Sequence, residues 1–305
     1  MPAEEENKMK KIRIITGTAF VLLFAVLTIL VYCGKTVATD TYELIESIAV
    51  IGAIICFFPF NKFSAKPDLS GERRKISKRT IASVFAVLIA VPLTMYIGIH
   101  YLNDRKYYFI SLLIIIEILI PFLISFENKK PQARELVIIS VLCALAVAGR
   151  MVFFMLPQFK PVLAIVIVSG IMFGGEAGFL VGAVTAFVSN FYFGQGPWTV
   201  WQMVSYGAVG FLAGIIFSRG LIRTNRITLC IFGFFATVII CGGIVNTGSA
   251  LMMYQTLTPE VLFKSLVAGL PFDLIHGASV VFFLWFIAEP MTDKLTRIRA
   301  KYGLL

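Results

Sequence analysis

Long apolar runs dominate this chain and restrict it to one kind of fold. About ten stretches are long enough to cross a bilayer as helices, at roughly 12–33, 44–60, 80–102, 107–126, 135–156, 161–174, 176–193, 200–218, 227–249 and 265–288. A backbone in hydrocarbon must satisfy its own hydrogen bonds, and a helix does so within one segment. The composition agrees, with 58% hydrophobic and only 14% charged residues among 305. The expected fold class is all-α: a polytopic membrane protein of about ten transmembrane helices. The run at 161–174 is the shortest and falls below the usual length of a full span.

The net charge of +10 invites a nucleic-acid reading, but its distribution argues for orientation instead. With the N-terminus in the cytoplasm, the basic clusters at 8–13, 62–79, 129–134, 219–226 and 294–301 all fall on the cytoplasmic side. The opposite side holds only Lys35, Arg105, Lys106, Lys160 and Lys264, and Arg150 falls inside a span. That asymmetry is the positive-inside pattern of a multi-pass protein with both termini in the cytoplasm, and nucleic acid is not an expected partner. The first run has a basic flank like a signal peptide but a longer apolar core, so it reads as a retained helix. The 5 cysteines lie in or beside spans without CxxC spacing, which fits packing residues and predicts no metal site.

Two blocks follow from the loops. Residues 1–130 form an N-terminal four-helix transmembrane extension with little polar chemistry except Glu117, for which the sequence offers no function. The charged, Pro-interrupted stretch FENKKPQARE (126–135) marks the boundary. Residues 131–305 form a six-helix domain that holds most of the amides and polar aromatic side chains of interest. Within it Gly170, Gly174, Gly178 and Gly182 are four apart, with the GGE turn at 174–176 expected to split them between two helices. Ala144 and Ala148 share the same spacing. Small residues so placed let helix backbones approach closely, either within the chain or against a partner helix.

Polar groups are concentrated in three places. The segment GRMVFFMLPQFKP (149–161) sets Arg150 two turns before Pro157. A charge at depth costs roughly 2.5–3.5 kcal/mol on insertion scales, so Arg150 must face a counter-group, water or a ligand. Phe154, Gln158, Phe159 and Lys160 follow toward the outer loop. The stretch FGQGPWTVWQ (193–202) offers Gln195, Trp198, Trp201 and Gln202, with Asn190 just beneath; its Gly and Pro residues predict an aromatic, amide-rich loop at one membrane face. In GLPFDLIHG (269–277), Asp273 and His276 are three apart on one helix face, so they are expected to pair with each other, with Arg150, or with a ligand. No phosphate loop, zinc-protease or nucleophile-elbow motif is present, so no catalytic residue is assigned and an enzyme is not expected.

These segments carry a resemblance. ALAVAGR (144–150), FKPVLAIVIVSGIMFG (159–174), SNFYFGQGPWTVWQM (189–203) and GLPFDLIHG together resemble substrate-binding S components of energy-coupling factor (ECF) vitamin transporters, over about residues 131–305. The FGQGPW-xx-WQM pattern looks like the subgroup assigned to cobalamin uptake. The resemblance implies a six-helix subunit in the cell membrane of a bacterium, capturing a vitamin beneath its outer loops. It implies as partners a transmembrane coupling subunit and two ATP-binding subunits, and cobalamin as a transported ligand rather than a covalently held cofactor. It also maps the family's small-residue docking motif onto Ala144 and Ala148. Substrate contacts then fall on Arg150, Phe154, Gln158, Phe159, Lys160, Asn190, Gln195, Trp198, Trp201, Gln202, Asp273 and His276. Other readings are an S component for another vitamin or modified-base precursor, a stand-alone carrier using Glu117, Arg150, Asp273 and His276 as a proton path, and a lipid-active membrane enzyme.

Overall fold

A computed structural model describes residues 133–218, 220–254 and 258–302, with a few single positions earlier in the chain such as Thr94 and Glu117. The four-helix extension expected over residues 1–130, and the boundary drawn at its end, lie outside the described residues. The chain divides into two compact units. One comprises Met1–Lys66 and Val152–Pro157, and its described part is mainly the turn that follows Val152. The other comprises Pro67–Met151 and Gln158–Leu305.

Six helical segments make up the described part: α1 (Ala133–Val152), α2 (Val162–Phe173), α3 (Gly175–Phe193), α4 (Trp198–Ser218), α5 (Arg226–Tyr254) and α6 (Pro259–Tyr302). All except α2 are long and apolar enough to cross a membrane. The architecture is all-α, as the apolar runs required. Several ends differ from expectation. The first helix stops at Val152 instead of continuing to 156, and α6 begins six residues early, at Pro259. With 44 residues, α6 extends over about 66 Å at 1.5 Å per residue, far beyond the ~30 Å hydrocarbon core. Its last turns carry Arg299 and Lys301.

At the centre lies α2, where all 12 residues are buried. A helix that is apolar on every side and fully enclosed belongs inside a bundle. Gly174, at φ 96°, folds the chain back between α2 and α3, so the expected split of the glycine series at 174–176 is what the structure contains. A Cβ on Gly178 would come 2.6 Å from the Gly170 Cα and 2.8 Å from the Gly210 carbonyl carbon. Three helices therefore meet backbone to backbone, and the stripe packs within the chain. In a bilayer this contact supplies cohesion that the hydrophobic effect does not.

Helix α5 begins with a reciprocal cap: Thr228 N donates to Asn225 Oδ1 at 2.8 Å, and Asn225 N donates to Thr228 Oγ1 at 3.1 Å. Midway, Ala236–Cys241 widens into a π turn. Within it, Thr237 Oγ1 donates back to the Gly233 carbonyl at 2.7 Å, a bond that competes with the regular ladder. Beyond that turn, α5 meets α6 through Asn246, whose Nδ2 donates to Asp273 Oδ2 at 2.7 Å, while Ser265 Oγ donates to the Asn246 carbonyl at 2.8 Å. At the opposite end Arg226 pairs with Glu289 at 2.8 Å and lies over the Trp285 ring.

The Asn246–Asp273 bond carries a prediction. Asp273→Ala leaves a part-buried amide without its acceptor and is expected to destabilise by about 1–3 kcal/mol, whereas Asp273→Asn keeps an acceptor and loses little. Melting curves of the two variants in detergent check this. Equal losses would show that the carboxylate charge, rather than the bond, matters.

Candidate functional site

The most connected polar cluster forms where the α1–α2 and α3–α4 loops meet. Arg150, in the last turn of α1, is buried. Its Nη1 donates to Ser189 Oγ and, at 2.8 Å, to Asn190 Oδ1, both in the last turns of α3. The guanidinium carbon lies 4.6 Å from the centre of the Phe193 ring. Nε is buried with no hydrogen-bond partner.

Asn190 relays the contact onward. Its Nδ2 donates to Thr199 Oγ1 and to Gln202 Oε1, both at 2.9 Å, and Thr199 Oγ1 donates to Gln195 Oε1 at 2.9 Å. Gln195 Nε2 closes the chain on the Phe187 carbonyl at 2.9 Å. Every hydrogen-bonding site of the Asn190 amide group that a neutral side chain offers as donor is used, so its orientation is set. The loop between α3 and α4 is short because Gly194, at φ 94°, ends α3 and Pro197 stands immediately before α4. The expected ten-residue loop over 193–202 is thus only four residues of connection. Trp198, Trp201 and Gln202 belong to the first turns of α4.

Lys160 approaches from the α1–α2 loop. Its backbone N–H donates to Ser279 Oγ of α6 at 2.8 Å, and Ser279 Oγ donates to the Lys160 carbonyl at 3.1 Å, anchoring the loop. The ammonium lies 5.5 Å from the centre of the same Phe193 ring that Arg150 covers. Burial, and secondly the nearby Arg150 charge, pull the Lys160 pKa down to about 8. Phe159 packs between Phe282 and Phe283 of α6, with ring centres 5.4 and 5.3 Å away. Gln158 adopts φ 57°, unusual for a non-glycine residue, and so marks a tight bend.

The remaining expected site residues separate. His276 is buried with its ring 6.3 Å from that of Tyr206. Asp273 does not pair with His276 or Arg150: Asn246 holds it, and a Cβ on Gly242 would fall 2.5 Å from its Oδ2. The sequence placed Asp273 and His276 on one face, but α6 sits between two neighbours and the three-residue step turns each toward a different one. Trp201 packs against Gly248 of α5 and leaves the amide row. Trp198 folds over Gly196 and keeps 43% of its surface exposed. Phe154 belongs to the Val152–Pro157 unit and is exposed. Ala144 and Ala148 are both exposed on α1, opposite the buried Leu142, Cys143 and Ala146. Glu117, outside the six helices, accepts a hydrogen bond from Thr94 Oγ1 at 2.5 Å.

Sequence reasoning missed Ser189, Phe193, Asn246 and Ser279 as organisers. The Ser-Asn pair one turn before a glycine was a usable signal for Ser189; Asn246 stood out as the sole amide in an otherwise apolar helix. An apolar groove of about 310 Å³, lined by Ile222, Thr228, Ile231, Phe232, Phe235 and Ile239, lies along α5 and includes none of the polar cluster.

The cluster offers neutral amide and hydroxyl groups around a buried cation, with aromatic surface beside it. Such a set is chemically suited to orienting a polar ligand. The chain is similar to the UPF0397 protein of Vibrio atlanticus (strain LGP32), 27% identical over 140 residues, covering 44% of this chain and 76% of the relative. UPF0397 proteins of Aliivibrio salmonicida (strain LFI1238) and Aliivibrio fischeri (strain MJ11) are 27% and 28% identical, with the same coverage. No solved structure gives a significant match. A family model described as "ECF-type riboflavin transporter, S component" matches residues 130–292, a little over half of the chain and nearly all of the six-helix region, and on that match the protein belongs to this family of transporter subunits.

Proposed function

We propose that the chain is the substrate-capture subunit of an ATP-driven ECF-type importer, taking cobalamin or a related corrinoid at the outer face. It hands the ligand inward together with a transmembrane coupling subunit and two ATP-binding subunits. The observation that carries this reading is Arg150: a buried cation held by neutral partners, with one N–H unused, at the loop end of the bundle. A bilayer protein keeps such a group where a ligand comes to meet it. Amides on Asn190, Gln195 and Gln202 suit a ligand rich in amide groups, and Phe193 and Trp198 offer aromatic surface. The exposed Ala144 and Ala148 leave a shallow strip on α1 for the coupling subunit.

A second reading, riboflavin, is favoured by the description of the matching family. Equilibrium binding of cobalamin, riboflavin and other vitamins to the purified full chain separates the two. Saturable binding of cobalamin supports the first reading; saturation with riboflavin and silence with cobalamin replaces it with the second. Uptake by liposomes containing this chain alone would favour the stand-alone carrier, to which the positions of Asp273 and Glu117 lend little support.

A further inference from the structure

The polar cluster is unbalanced in charge. Arg150 and Lys160 lie over one phenyl ring, at 4.6 and 5.5 Å from its centre. Among the described residues neither has a carboxylate within ion-pair distance. The partners of Arg150 are a hydroxyl and an amide oxygen, and its Nε has none. Asp273, the acidic group on the adjoining stretch of α6, is turned away to Asn246 and Gly242. Nearby on α4 and α6, Tyr206 and His276 are buried ring to ring, and neither supplies a carboxylate.

Two like charges in a low-dielectric setting repel strongly, and each would gain from a shared counter-ion. A guanidinium with free N–H groups beside an ammonium is a common way to hold phosphate or carboxylate oxygens. We propose that the ligand is anchored by an anionic group, a phosphate ester or a carboxylate, seated between Arg150 and Lys160 beside Phe193. The amide row of Asn190, Gln195 and Gln202 then reads the neutral remainder of the molecule. This inference rests on the capture reading above and adds the charge class of the cargo.

The test uses the full chain in nanodiscs and two pairs of probes. Cobalamin carries a phosphodiester and cobinamide lacks it; riboflavin 5′-phosphate carries a phosphate and riboflavin lacks it. Whichever ring system binds, the phosphate-bearing member is expected to bind at least tenfold more tightly. Arg150→Gln should weaken that member by about 30-fold or more and erase the preference. Lys160→Gln lies in a loop and is expected to fold; it should weaken the phosphate-bearing probe by about tenfold. The preference should decline between pH 7 and pH 9 as Lys160 loses its proton, and Lys160→Gln should flatten that decline. Equal affinity within each pair, or a preference that survives both substitutions, overturns the proposal. Inorganic phosphate supplies an arm that needs no vitamin. If all four probes are silent, a rise in melting temperature with phosphate that Arg150→Gln abolishes keeps the anion site and ends the vitamin reading. Silence together with no phosphate effect ends the anion site as well.

Discussion

Gly178→Leu is expected to yield almost no folded protein. A Cβ at this position would press on the Gly210 carbonyl oxygen at 2.5 Å and on the Gly170 Cα at 2.6 Å. Both neighbours are backbone, so no rotamer change relieves the clash; α2, α3 and α4 must separate. Overpacking costs about 1–3 kcal/mol where side chains can shift, and more where they cannot. Separation also removes the close dispersion contact on which helix association in lipid depends. Gly243→Leu is the control, since a Cβ there meets nothing within 4 Å. Melting temperature and yield from the membrane would decide. A Gly178→Leu protein that melts like the parent would mean the three helices do not meet as described.

The other large effect concerns transport. Ala148→Trp, alone or with Ala144→Trp, is expected to lower uptake at least tenfold in cells that also contain the coupling and ATP-binding subunits. Ligand binding to the isolated chain should stay within about twofold. Both alanines are exposed on α1, while the polar cluster hangs on the buried face through Arg150. A bulky ring on the exposed strip holds a partner helix several ångströms off without touching the ligand. Ile231→Trp, at an exposed position on α5, serves as the control and should leave uptake intact. Undiminished uptake in the Ala148→Trp protein would move the docking surface elsewhere.

How far the sequence anticipated these results depends on the range of the interaction. Apolar runs report on burial residue by residue, so the five long helices of the described region, the short α2 and the break at Gly174 were all readable. Arg150, Asn190, Gln195 and Gln202 were singled out because a polar group in a greasy run is conspicuous by itself, and they do form one hydrogen-bonded chain. Partner choice was not readable. Asp273 reaches Asn246 only because α5 passes alongside with a π turn that no propensity announces, and Trp201 packs on Gly248 because of how α4 is rotated. Those outcomes depend on the azimuth of one helix against another, which a linear pattern leaves open.

A rod of 12 residues is about 18 Å long, little more than half the ~30 Å hydrocarbon layer. Because α2 is wholly sheathed by its neighbours, lipid never meets the shortfall and the bilayer has no need to thin around it. The missing length is taken up at the loop end by the connection into α2, where Phe159 packs against Phe282 and Phe283 of α6. Gly170 packs near the far end of α4, beside Gly210 and Gly214, so α2 begins more than a turn deeper than Trp198. Lys160, two residues before that recessed start and tied to Ser279 of α6, is thereby drawn down against the protein body rather than carried out on a free surface loop.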